Sequence, residues 1–135
     1  MVEILKLEGS RERSEVCERV LRKLPEWFGI EQAVVDYIND VKSMETWVAK
    51  ANDETIGFVS LKAHGETSAE IYVMGVLKEH HRSGVGRALV EKAEDSLARQ
   101  GFRFLQVKTL SPARPCREYD QTRNFYLKMG FVVVY

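Results

Sequence analysis

The chain has 135 residues, 44% of them apolar and 30% charged, with a formal net charge of zero. That length fits one domain, residues 1–135, able to bury a core without metal or disulfides, and the balanced charge argues against a dedicated nucleic-acid binder. No run approaches the roughly 20 apolar residues that span a bilayer, and no basic-then-apolar signal opens the chain, so a cytoplasmic protein with no membrane partner is expected.

In chain order, Ser10 is expected to cap a helix running to about Leu24, with Val16, Val20, Leu21 and Leu24 on one side. Pro25 ends it, and Trp27-Phe28-Gly29 forms an aromatic connection. A second helix, Glu31 to about Val41, turns Val34, Val35, Ile38 and Val41 inward. Thr46 to Ala51 and Thr55 to Ala63 read as strands joined at Asn52-Asp53-Glu54, a hairpin. Ala69 to Leu77 is the next strand. The helix that follows sets Val85, Leu89, Ala93 and Leu97 in a stripe and closes at Gly101. Phe104 to Thr109 is a strand, and Pro112 and Pro115 mark a loop. Asp120 caps a short helix through Met129, stopped by Gly130, and Phe131 to Tyr135 is a last strand. The order α-α-β-β-β-α-β-α-β implies an α/β fold, a mixed central sheet with helices on both faces.

Charge is unevenly placed. Residues 26–55 hold seven acidic side chains against two basic ones, and residues 78–128 hold eleven basic against six acidic. The acidic half suits a cationic partner or simply a solvated face. The basic half contains His81-Arg82-Ser83-Gly84-Val85-Gly86-Arg87, a two-glycine turn between a strand and a helix. Glycines let the backbone approach an anion, and a helix start aims unpaired N–H groups and a positive dipole end at it. A phosphorylated ligand is therefore expected. A Rossmann fingerprint would need a small residue where Leu89 stands and an acidic residue near Lys108-Thr109; a P-loop would need Gly-Lys-Ser/Thr. Neither pattern is met. Cys17 and Cys116 lack metal spacing and read as free thiols, and His64, His80 and His81 lack acidic or thiol partners at ligand spacing, so no metal is expected.

The turn with its flanks, His81-x-Ser83-Gly84-Val85-Gly86-Arg87-Ala88-Leu89, followed by Phe125-Tyr126-Leu127-Lys128-Met129-Gly130-Phe131, resembles the GNAT family of acetyl-CoA-dependent N-acetyltransferases. The resemblance covers residues 70–131 well and the first 65 more loosely. His81 stands where that family usually has arginine or glutamine, and Tyr119 where many members have an asparagine that contacts the cofactor.

The resemblance implies roles. Met74, Gly75 and Val76 would meet the pantetheine arm, with Met74 N–H donating to the thioester carbonyl. His81, Arg82, Ser83, Gly84, Val85, Gly86 and Arg87 would hold the pyrophosphate. Tyr126 would protonate the departing thiolate. Glu70, fourteen residues before Gly84, matches a general-base glutamate and would have its pKa raised if desolvated beside the apolar strand; Glu66, Glu31 and His64 stay open as alternatives. Cys116 reads as a bystander, and Trp27 and Phe28 would wall the site of a small-molecule or peptide amine. The family usually adds a strand beyond the last one here, so that strand reads as missing, and a homodimer would cover the resulting edge. The expected activity is N-acetyl transfer by direct attack; the alternative is a non-catalytic acyl-CoA-binding or sensing module of the same fold.

Overall fold

The computed structural model describes residues 2–107 and 117–131. The strand expected beyond Phe131, the loop with Pro112 and Pro115, the end of the strand at Lys108-Thr109, and Cys116 lie outside these residues.

Among the described residues, β1 (Val2–Leu7), β2 (Glu45–Ala51), β3 (Glu54–His64), β4 (Ser68–Val76) and β5 (Phe104–Val107) form one sheet in sequence order. Every neighbouring pair is antiparallel except β4 and β5, which run parallel and make the sheet mixed. The helices α1 (Ser10–Leu21) and α2 (Glu31–Asp40) pack on one face, and α3 (Val85–Arg99) and α4 (Arg117–Lys128) on the other.

Alternation in β3 builds a core on each side. Val59 faces Leu89, Val90 and Ala93 of α3, whereas Phe58 faces Val20 and Leu21 of α1. The stripe Val85, Leu89, Ala93 and Leu97 is wholly buried, as its spacing requires. Each leucine or valine removed from water there contributes about 1.5–3 kcal/mol. The β2–β3 turn has φ of 52° at Asn52 and 66° at Asp53. Two left-handed residues in succession make a type I′ turn, whose twist suits a two-residue hairpin. Glu45 ties β2 to α3 by accepting from Trp47 Nε1, Ser96 Oγ and Gln100 Nε2.

The structure differs from expectation in one added strand and in the ends of two helices. The fold begins with β1, an edge strand paired to β2 from Val2↔Ala51 to Leu7↔Thr46. Only Leu7 in it is buried, so it carries little of the alternation that marks a half-buried strand. Gly9, not Ser10, is the N-cap of α1, and α1 stops at Leu21, leaving Leu24 buried in the turn after it. The last helix starts at Arg117, three residues before Asp120.

Candidate active site

Opposite Ser60 and Leu61, β4 supplies three residues, Val73, Tyr72 and Ile71, so Tyr72 is the extra residue of a β-bulge. The bulge turns Tyr72 and Val73 toward α1 and α2 while Ile71 and Met74 face the α3 side. Backbone direction past the bulge follows from two contacts. Leu77 N–H donates to Ile56 O at 2.9 Å, and Gly75 O lies beside Gly57 of β3. Alternate residues of a strand point their N–H and C=O to opposite neighbours, so Met74 and Val76 direct theirs away from β3. Among the described residues, the parallel pairing with β5 covers Ser68 to Ile71. Met74 and Val76 line a cleft of 1240 Å³, with Ile71 to Val76 on one side and Val107, Phe125 and Tyr126 on the other. That exceeds a drug-sized pocket and leaves room for a long ligand plus a second one.

A 3-10 turn at Lys78–His80 leads from β4 to the glycine segment. The two glycines there have separate reasons. Gly84 is the N-cap of α3 with φ of 89°, a left-handed conformation, and a Cβ on it would meet nothing. Gly86 is set by packing: a Cβ there would lie 3.0 Å from Cε1 and Cζ of Phe125 on α4. Gly75 likewise admits a neighbour, since its Cβ would lie 2.9 Å from Val20 Cγ1 on α1. The first-turn N–H groups of α3 have no intrahelical acceptor and no side-chain cap, with Arg82 and Arg87 beside them on the cleft. Arg82 itself has φ of 62°, a strained position for a residue with a Cβ.

Of the residues expected to hold a cofactor, Met74, Gly75, Val76, His81, Arg82, Gly84, Gly86 and Arg87 line the cleft. Ser83 and Val85 do not: Ser83 Oγ donates to His80 O, and the Val85 side chain is buried under α3. The His81 ring is committed to the protein. Its Nε2 donates to Val76 O at 2.6 Å, and its edge meets Trp27 with ring centroids 5.4 Å apart. Trp27 Nε1 in turn donates to Glu118 O of α4. Glu26 pairs with Lys78, which fixes the connection between α1 and α2 over the mouth of the cleft. Trp27 and Phe28 both line it, as expected of walls.

Tyr126 lines the cleft at 6% exposure, held edge-on by Phe125 and Phe131. Burial pushes its phenol well above its ordinary pKa, so it is a proton-bearing donor throughout the neutral range. Glu70 stands apart. It is 5% exposed, sits in the paired part of β4 opposite Lys62 and Gln106, and joins His64 Nε2 at 2.6 Å. It does not line the cleft. Tyr37 and Tyr72, which sequence reasoning passed over, do. Tyr72 OH donates to Asp40, and burial first, then this bond and the charge of Asp40, raise its pKa. The signal for Tyr72 was its place two residues before Met74; nothing in the sequence marks the bulge that turns it.

A family model described as the acetyltransferase (GNAT) domain matches residues 42–133, two glycines and the Tyr126 segment included. The chain belongs to the GNAT family. This GNAT domain is 33% identical over 98 residues to an uncharacterised N-acetyltransferase of Chlorobaculum tepidum, a match covering 73% of the chain and 53% of that protein. It thus spans about half the length of that relative. Among solved structures it resembles the PaiA N-acetyltransferase of Thermoplasma acidophilum in complex with coenzyme A, with a TM-score of 0.77 and 23% identity. That alignment covers 99% of this chain and 91% of the other. The aminoglycoside N-acetyltransferase AAC(6')-Iy, also with CoA, matches with a TM-score of 0.70 and 17% identity, over 100% and 93% of the two chains. At such identities the likeness establishes the fold, which is the mixed GNAT sheet. No helix among the described residues is long and apolar enough to cross a membrane.

Proposed function

We propose that this GNAT domain transfers the acetyl group of acetyl-CoA to a primary amine by direct attack. The observation that carries the reading is convergence. Residues Met74 to Val76 of β4, Gly84, Gly86 and Arg87 at the start of α3, and Tyr126 of α4 line one cleft. Acetyl-CoA supplies an activated carbonyl. The first turn of α3, with Arg82 and Arg87, holds its pyrophosphate. Met74 N–H donates to the carbonyl oxygen as the amine nitrogen bonds to carbon and charge builds on oxygen. The carbon–sulfur bond then breaks, and Tyr126 O–H donates to the sulfur that leaves. Because burial weakens Tyr126 as an acid, its contribution is first a hydrogen bond to the developing thiolate, which takes up its proton last.

The amine must lose one proton. Glu70 does not line the cleft and is already bonded to His64, so we assign it to the architecture and the proton to water entering the open mouth. The test is CoA release from acetyl-CoA over a panel of amines, with Tyr126→Phe alongside. That variant is expected to lower kcat about 100-fold while CoA affinity stays within about twofold. Tight CoA binding with no acetylated amine would favour an acyl-CoA sensor instead.

A further inference from the structure

The acceptor half of the cleft has a character that the donor half does not determine. Beneath the α1–α2 connection its walls are Phe28, Ile30, Ala33, Tyr37 and Tyr72. Phe28 meets Tyr37 edge-on with centroids 6.0 Å apart, and Tyr37 meets Tyr72 at 5.4 Å, so three rings form a continuous aromatic surface. Ile30, at the rim, is 72% exposed, a large apolar side chain held in water beside a cavity. The only side-chain polar atoms on these five residues are the two phenolic oxygens, and that of Tyr72 is already bonded to Asp40.

Charge adds a second requirement. Asp40 of α2 accepts from the Tyr72 hydroxyl, and Asp36, four residues earlier on the same helix, adds its negative charge there. The Tyr72 ring can receive an ammonium, since Lys62 Nζ stands 5.6 Å from its centroid, and the two carboxylates outnumber that one cation. An aromatic surface backed by carboxylates attracts a cation and also stacks an apolar body.

Resting on the acetyltransferase reading above, we propose that the acceptor is a cationic amine borne on an aromatic or otherwise apolar body, an arylalkylamine in the simplest case. An amino sugar fits this wall badly. Among the described residues, the wall's five side chains offer its hydroxyls only two phenols, with the carboxylates lying at one end, so most of those hydroxyls would leave water unpaired, and unmade polar contacts discriminate strongly. An aryl ring leaves nothing unsatisfied and covers Ile30.

The experiment compares 2-phenylethylamine, n-butylamine and glucosamine as acceptors for the full chain with saturating acetyl-CoA. The expected order of kcat/KM is phenylethylamine, then butylamine, then glucosamine, with the extremes separated by about 100-fold or more. Ile30→Ser, at an exposed position where folding is not at stake, should lower kcat/KM for phenylethylamine about 10-fold and leave glucosamine within about twofold. Glucosamine turned over as well as phenylethylamine, or an Ile30→Ser variant affecting both alike, would overturn the proposal.

A binding arm keeps it testable if no amine is acetylated. Calorimetric titration of the CoA-saturated protein should then give phenylethylamine at least tenfold tighter binding than glucosamine, and Asp40→Asn should weaken it. That outcome would sustain the acceptor surface while the transferase reading failed. Equal or absent binding of both amines would remove the surface as well.

Discussion

Gly86→Ala isolates the contact between the cofactor-side helix and the helix carrying Tyr126. The new methyl would lie 3.0 Å from Cε1 and Cζ of Phe125, and those ring atoms must yield by a few tenths of an ångström. Overpacking of this kind costs about 1–3 kcal/mol, while replacing glycine by alanine in a helix returns about 0.5–1 kcal/mol. The net expectation is a loss of about 1 kcal/mol, or roughly 3–4 °C in Tm for a domain of this size. Phe125 also meets Tyr126 edge-on with centroids 5.2 Å apart, so the displacement reaches the proposed acid. The decisive assay is a double-mutant cycle by urea unfolding. Phe125→Leu removes the obstructing ring edge, so Gly86→Ala should cost at least about 0.5 kcal/mol less in that background than alone. Additivity within about 0.3 kcal/mol would refute the packing account of Gly86 and return the glycine to an anion-contact role.

Gly84→Ala tests the other glycine. It forces a Cβ into the left-handed region at φ of 89°, should cost about 1 kcal/mol, and should weaken CoA binding in calorimetry because the strained residue caps the anion seat. Glu45 supplies a pH prediction. Burial raises its pKa, but hydrogen bonds from Ser96, Trp47 and Gln100, with Lys6 nearby, outweigh that and leave it below the ordinary value. Its contribution is thus present above the unfolded carboxylate pKa of about 4.3 and is lost as pH falls through the lower folded value. Glu45→Gln should accordingly be less stable than wild type at pH 7, with the gap closing below about pH 4 in thermal melts; a gap constant from pH 7 to 3 would contradict this. Glu70→Gln should lower thermal stability by breaking the pair with His64 and leave the acid limb of the kcat/KM profile in place, whereas a lost limb would restore Glu70 as the base. Leu89→Ala, at the centre of the α3 stripe, should destabilise by about 2–5 kcal/mol in denaturant titration.

What the sequence made legible was periodic or local. The stripe from Val85 to Leu97 announces its helix and the buried face together, and Asn52-Asp53 announces a tight hairpin because both tolerate positive φ. The element order from α1 through α4 followed from such signals, and so did the GNAT resemblance carried by the glycine turn and the Tyr126 segment. Features set by contacts distant in sequence were hidden. β1 is stabilised by pairing with β2 while most of its side chains face water, so no burial pattern marks it. The bulge at Tyr72 depends on the register against β3, and register is a property of two strands. Glu70 matches a base by spacing, whereas its bond to His64 crosses a strand turn and is not marked by that spacing. The reasons for Gly75 and Gly86 lie on α1 and α4, at residues no local reading connects to them.

Trp27 joins three parts that ligands would touch separately: its ring meets His81 of the glycine segment, its indole N–H holds Glu118 of α4, and its neighbour Phe28 belongs to the acceptor wall. Anything that fixes one of these parts spares part of the ordering cost of the others. Donor and acceptor should therefore bind with positive linkage, and thermodynamic reciprocity requires each to tighten the other by the same factor. The same indole is a reporter placed at that junction, one of only two in the chain. Its emission would follow either ligand, and Trp27→Leu would let the two affinities become independent.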